Sequence, residues 1–163
     1  MKLGFLTVPF ADWTLEQVAR WAKNNGFDAL EVACWPAASG DARRYAGVTH
    51  IDVDSVDVRG DEIRSLLDGL GIEISALGYY PNNLHPDPEH RASVNEHTRE
   101  VIRAASRLGV PVVNTFVGRD KDRTHAENIA ELQKVWPGIV AEAESLGVKM
   151  AIENCPMIFS ADE

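Results

Sequence analysis

The sequence predicts an α/β chain built on a parallel sheet, and two observations carry that reading. Apolar runs of strand length alternate four times with stretches of helical period before a fifth strand. Two of the helix-to-strand joints, Asn25-Gly26-Phe27 and Leu108-Gly109-Val110, are very short, whereas the strand-to-helix loops are longer. Parallel strands need a crossover to join them, and a helix laid back over the sheet is the compact way to make one.

The first strand is Leu3 to Val8. Thr14-Leu15-Glu16-Gln17 then fits a capping box, in which a hydroxyl and an amide each satisfy a free N–H of the first turn. The helix it opens carries Leu15, Val18, Ala19 and Ala22 on one face and stops at Gly26. Ala29 to Cys34 is the second strand. After a long loop, Asp61 is the expected cap of a helix whose stripe is Ile63, Leu66, Leu67 and Leu70, closed by Gly71. The third strand, Ile72 to Gly78, runs into a polar and aromatic loop, Tyr79 to Pro88. A long helix with Val94, Val101, Ile102, Ala105 and Leu108 inside ends at Gly109, and the fourth strand, Val110 to Val117, is apolar enough to be read as covered on both faces. Thr124-His125-Ala126-Glu127 is a second capping box, opening a helix lined by Ile129, Leu132, Val135, Ile139, Val140, Ala143 and Leu146. Pro137 is expected to kink it. The fifth strand is Val148 to Asn154.

An open doubly wound sheet would usually place a glycine-rich phosphate loop in the first strand-to-helix turn, but that turn reads Val8-Pro9-Phe10-Ala11-Asp12-Trp13. An eight-fold (β/α)8 barrel is therefore preferred. Such barrels take about 250 residues, so the expectation for residues 1–163 is the N-terminal portion of one barrel domain, with five strands and four helices, cut after the fifth strand. An open sheet of that kind would expose an apolar inner face or bury it against another copy, so a homo-oligomer is one expected state.

Lys and Arg number 16 against 25 Asp and Glu, a net charge of -9. That balance repels phosphate backbones and anionic lipid, so neither nucleic acid nor a membrane is an expected partner. Arg119-Asp120-Lys121-Asp122-Arg123 alternates in sign and reads as a solvated loop. The apolar start, Met1 to Phe10, is far shorter than the roughly 20 residues of a membrane span. Cys34 and Cys155 are distant and lack any Cys-x-x-Cys spacing, which argues against a zinc knuckle or a disulfide and for reduced thiols in the cytoplasm.

Barrel enzymes gather their reacting groups at the carboxyl ends of the strands. The candidates there are Thr7 and Phe10, then Glu31 and Trp35, then Tyr79, Tyr80, Asn82, Asn83 and His85, then Asn114, Phe116 and Arg119, and last Glu153 and Asn154. Glu153 stands out, because a carboxylate inside an apolar strand is costly unless it is paired or holds a cation. A salt bridge to a barrel Lys or Arg is the structural alternative. Glu31 is evenly divided between a structural hydrogen bond and a role in the mouth. His85 lies among Tyr and Asn, the mixture of flat apolar surface and amide groups that suits a sugar or polyol. His90 and His97 are placed on a solvent face, His125 in a first helical turn, and His50 in a loop that has no second ligand at metal-binding spacing.

Four segments together resemble the xylose-isomerase-like TIM barrels, a superfamily of sugar phosphate isomerases and epimerases. They are Lys2-Leu3-Gly4-Phe5, Gly26-Phe27-Asp28-Ala29-Leu30-Glu31, Val112 to Gly118, and above all Ile152-Glu153-Asn154. The resemblance implies that Glu153 is a ligand to a divalent metal, Mn, Mg, Co or Zn, whose other ligands come from later strands. The superfamily's abasic-site endonucleases are disfavoured, since the fourth strand offers no His and the chain is acidic. The implied activity is metal-dependent isomerisation or epimerisation of a small sugar or polyol by proton transfer next to a carbonyl, through an enediolate. Glu153 would hold the metal and share the proton transfer, with Tyr79, Asn82, His85 and Asn114 binding substrate. An inosose-type dehydratase on the same scaffold, or a sugar-binding barrel without catalysis, are the alternatives.

Overall fold

The computed structural model describes residues 1–37 and 47–153. Five strands, β1 (Gly4–Leu6), β2 (Ala29–Ala33), β3 (Glu73–Gly78), β4 (Val112–Thr115) and β5 (Lys149–Ile152), form one sheet in the order of the chain, every pair parallel. Four helices, α1 (Leu15–Asn24), α2 (Val56–Leu70), α3 (Pro88–Leu108) and α4 (His125–Ser145), supply the crossovers. This is a partial TIM barrel, as the alternating pattern predicts.

The elements form for local reasons. Both capping boxes are made: in α1 the amides of Thr14 and Gln17 exchange bonds with each other's side chains at 2.8 and 3.3 Å, and in α4 Thr124 and Glu127 do the same at 2.9 and 3.3 Å. Asp87 caps α3 by accepting from His90 N at 2.7 Å, with Pro88 at the first helical position. Gly71 and Gly109 end α2 and α3 in the left-handed conformation. Helix α4 runs from His125 to Ser145 with Pro137 inside it, so Gln133 O lacks its usual helical donor.

The core lies between the sheet and the helices. Leu30, Val32, Leu77 and Val113 from the strands meet Val18, Ala19, Ala22, Val101, Ile102 and Ala105 from the helices, all buried completely. Alternation along each strand turns the other residues to the concave side. There β4 departs from expectation, since Val112 and Asn114 stay half-exposed while Val113 and Thr115 are buried. Among the described residues no strand lies opposite them across the concave face.

Helix α2 also starts earlier than its expected cap at Asp61. A short 3-10 turn, Val53–Ser55, leads into it, and Asp52 caps that turn by accepting from Asp54 N at 3.2 Å. The buried stripe is Val56, Gly60, Ile63 and Leu67, with Gly60 facing Leu108. On the outer surface Arg99 and Arg103 of α3 both reach Glu142 of α4, each at 2.7 Å.

The loops above β3 and β4 are tied together. Asn82 Oδ1 accepts from Arg119 N at 2.7 Å and Asn82 Nδ2 donates to Arg119 O at 2.7 Å, a two-point bond to the backbone. The fully buried Asn83 donates to Phe116 O at 2.8 Å and accepts from Thr98 Oγ1 at 3.0 Å. Gly118, at φ +90°, makes this approach possible, because a Cβ there would lie 2.5 Å from both Asn83 N and Leu84 N. We expect Gly118→Ala to lower the unfolding free energy by about 2 kcal/mol or more, since backbone and side-chain strain add. Urea denaturation of the two proteins measures this.

Candidate active site

Glu31 sits at the middle of β2, between Leu30 and Val32, whose side chains are buried toward the helices, so its own side chain falls on the concave side. The sheet makes room for it. Pairing between β2 and β3 shifts by one residue, Leu30 opposing Ile74 but Glu31 opposing Ala76, and the skipped Ser75 ties its hydroxyl to Leu30 O at 3.1 Å. This sets Ala76 and Gly78, both small, along the strand beside Glu31. A Cβ on Gly78 would lie 2.5 Å from Glu31 Oε1.

Three strands then converge on that carboxylate. Asn114 of β4 donates from Nδ2 to Glu31 Oε2 at 2.8 Å. Tyr80, just past β3, donates its hydroxyl to Glu31 Oε1 and also lies 2.8 Å from Glu153 Oε1, immediately after β5. Its ring is flanked by Trp35 above β2 and Phe116 above β4, at centroid distances of 5.8 and 4.8 Å. A phenol carries one proton, so two carboxyl groups share a single donor. Among the described residues neither Glu31 nor Glu153 forms an ion pair with Lys or Arg.

The electrostatics follow from that geometry. Burial pushes the Glu31 carboxyl above the usual carboxylate range, and the Glu153 charge adds to this, against the downward pull of the Tyr80 and Asn114 donors. Burial, followed by its bonds to both carboxylates, pushes the Tyr80 phenol far upward, so Tyr80 stays a neutral donor at physiological pH. Two carboxyl groups in unequal environments, one enclosed and one exposed, are suited to giving and taking a proton. Their oxygens also suit a hard divalent cation as part of its shell. They do not complete one, since no group of three His, Cys, Asp or Glu able to hold a metal occurs among the described residues.

The other sequence candidates take varied places. Tyr79 is buried, its ring edge-on to Trp35 and His97, and burial raises its phenol. Asn82 is engaged with the Arg119 backbone. His85 Nδ1 accepts from Asp87 N at 3.2 Å and its ring lies 4.3 Å from that of His90, at the entry to α3. Thr7 is fully buried and tied to the sheet, its Oγ1 accepting from Ala33 N at 2.9 Å. His97 does not face solvent: its Nε2 lies 2.8 Å from Cys34 O and its Nδ1 3.0 Å from Glu100. His50 Nε2 lies 3.2 Å from Phe10 O, a loop tether. Asn154 and Cys155 lie outside the described residues. Tyr80 is one candidate among several at the strand ends in the sequence, and its strand position gives no sign there that it spans two carboxylates. A cleft of 450 Å³ at the opposite end of the strands, lined by Lys2, Arg64 and Glu73 among others, holds none of these groups.

A family model described as xylose isomerase-like TIM barrel matches residues 19–162. The chain belongs to this family. No curated protein matches the sequence significantly. Among solved structures, this xylose isomerase-like chain is similar to the probable 3-DHS dehydratase AsbF of Bacillus anthracis, at 15% identity and a TM-score of 0.66, covering 93% of this chain and 52% of that one. The IolI protein with a bound zinc atom gives 18% and 0.66, covering 93% and 51%. The D-psicose 3-epimerase of Clostridium cellulolyticum H10, solved with D-tagatose, gives 18% and 0.64, covering 93% and 52%. At these identities the likeness is one of fold. The chain spans about half the length of each of these structures.

Glu31 supplies a pH test of the site. A carboxyl whose folded pKa is raised binds its proton more tightly in the native state than in the unfolded one, so stability falls as pH rises from the ordinary value of 4.5 through the raised folded value. Glu31→Gln removes that loss. Its melting temperature relative to wild type should therefore climb as the pH is raised across that range, and a pH-independent difference in calorimetry would contradict the assignment.

Proposed function

We propose that the natural protein is an isomerase or epimerase of a small sugar or polyol, moving a proton at the carbon next to a carbonyl. The observation that carries this reading is the convergence of Glu31 and Glu153 on one phenol donor in a mouth walled by Trp35, Tyr80 and Phe116. Proton abstraction beside a carbonyl needs a base held near the substrate, a second group to return the proton, and something to stabilise the oxygen that becomes negative. The carboxyl pair provides the first two. A divalent cation of the Mn, Mg, Co or Zn kind, when bound with Glu153 as one of its ligands, supplies the third by polarising the carbonyl of the substrate.

The rest of the mouth has positioning roles in this reading. Asn114 holds Glu31 by its second oxygen, and the aromatic wall offers flat surface to the carbon face of a sugar. Asn82 contributes through the loop it ties to Arg119, which carries Phe116 on its near side. Tyr79 and His85 border the same strand-to-helix segment, Tyr79 by backing Trp35 and His85 at the entry to α3.

The test is turnover by the full-length natural protein on a panel of ketoses, aldoses and inosose-type polyols, with Mn²⁺, Mg²⁺ or Co²⁺ added. Product analysis separates epimer or isomer formation from loss of water, which would make the protein a lyase on the same scaffold. Glu153→Gln keeps the size of the side chain and removes its charge, so we expect turnover to fall by about 100-fold or more with the melting temperature little changed. Near-wild-type turnover and metal content in that variant would make Glu153 a structural carboxylate and overturn this function.

A further inference from the structure

Tyr80 is bonded to both carboxylates of the mouth, yet a proton transfer between carboxyl and substrate does not consume its hydroxyl. We propose that Tyr80 is a positioning residue whose hydroxyl fixes the spacing of Glu31 and Glu153. This rests on the reading of the mouth as a proton-transfer site.

Three features of the geometry point to it. Two strands separate β2 from β5 in the sheet, so along the sheet the two glutamates start about 14 Å apart, three strand spacings. Both are acidic and repel each other, and among the described residues one shared donor holds the two side chains together. The Tyr80 oxygen does so by taking an Oε1 atom from each.

The place of that oxygen is set by packing and not by the carboxylates. Trp35 and Phe116 flank the ring, and the preceding residue is pinned to the sheet by Tyr79 N donating to Asn114 O at 3.1 Å. Gly78 completes the seat: a Cβ there would press within 3.2 Å of Tyr80 Cε2 as well as on Glu31 Oε1.

The bond also divides the labour between the two acids. Glu31 has both oxygens engaged, one by Tyr80 and one by Asn114. Glu153 has one oxygen on Tyr80, and its Oε2 takes no hydrogen bond from the described residues. The more tightly held carboxyl is thus Glu31, and the oxygen to which no described residue donates is Glu153 Oε2, its direction set by the phenol.

Tyr80→Phe deletes the hydroxyl and keeps the ring between Trp35 and Phe116. In the full-length natural protein, with the sugar that turns over, kcat should fall by about 30- to 100-fold while KM stays within about threefold, because the wall remains and the alignment is lost. A kcat within twofold of wild type, or a loss carried by KM alone, would overturn the proposal. A second measurement needs neither turnover nor metal. In protein labelled with ¹³Cζ-tyrosine, the Tyr80 resonance, assigned by its absence in Tyr80→Phe, should move in both Glu31→Gln and Glu153→Gln. A resonance unmoved in either variant means that the bridge does not exist in solution. If no sugar is turned over, the proposed function fails while this spectrum still decides the bridge.

Discussion

The mouth of this sheet is organised around the seating of one carboxylate in the middle of a strand. Glu31 is flanked in sequence by two side chains with no solvent exposure, so the strand cannot rotate to release it without exposing Leu30 and Val32. A buried acid without partners is among the costlier features a fold can carry. The neighbouring strands each answer to it: β3 bulges at Ser75 and places a glycine beside it, β4 sends in the Asn114 amide, and the turn after β3 sends in the Tyr80 phenol. Remove Glu31 in thought, and the glycine at 78, the amide at 114 and the register jump lose their common reason.

The outer structure gives these groups a rigid base. Helices α1 and α3 press completely buried alanines and valines on the sheet, and short side chains allow close approach. The loops above β3 and β4 are stitched by Asn82 and Asn83 through backbone atoms, which do not move when a side chain changes rotamer. Asn128, in the first turn of α4, grips the second loop beside Arg119 by bonding both the N–H and the carbonyl of Asp120, at 2.8 and 3.0 Å, and reaches its far end by donating to Arg123 O at 3.3 Å. The alternating charges of that loop look like a solvated stretch in the sequence, but its backbone is anchored at both ends. A site carried on such loops keeps its geometry.

What was legible in the sequence was what is local. Strand and helix periods, both capping boxes, the glycine stops and the short joints each depend on a few consecutive residues, and the structure bears them out. The start of α2 was hidden because Gly60, a buried position of its stripe, does not count as apolar. His97 looked like a surface residue because its partner, Cys34 O, comes from another strand's end. The carboxylate pair was half legible: Glu153 was conspicuous as an acid in an apolar run, Glu31 equally so but without a sign of its purpose. The link between them depends on how far the sheet curves, and curvature has no signature in any short window of residues. Tyr80 carries that link, and in the sequence it is one aromatic among several.

The strict chain order of the sheet bears on how the molecule assembles. Each strand pairs with the one made just before it, so pairing can proceed in the order of synthesis, one strand-helix unit at a time, with only modest loops to close. The mouth obeys a different schedule. Its bridge joins the second strand to the residue after the fifth, across nearly the whole described chain: the Glu31 half can form once β3 has paired with β2, but the Glu153 half waits until the intervening units have docked and bent the sheet. The meeting of the two carboxylates on one phenol is therefore completed late, by the closure of the curve itself, and a nascent chain carries its two glutamates apart until the protein around them is built.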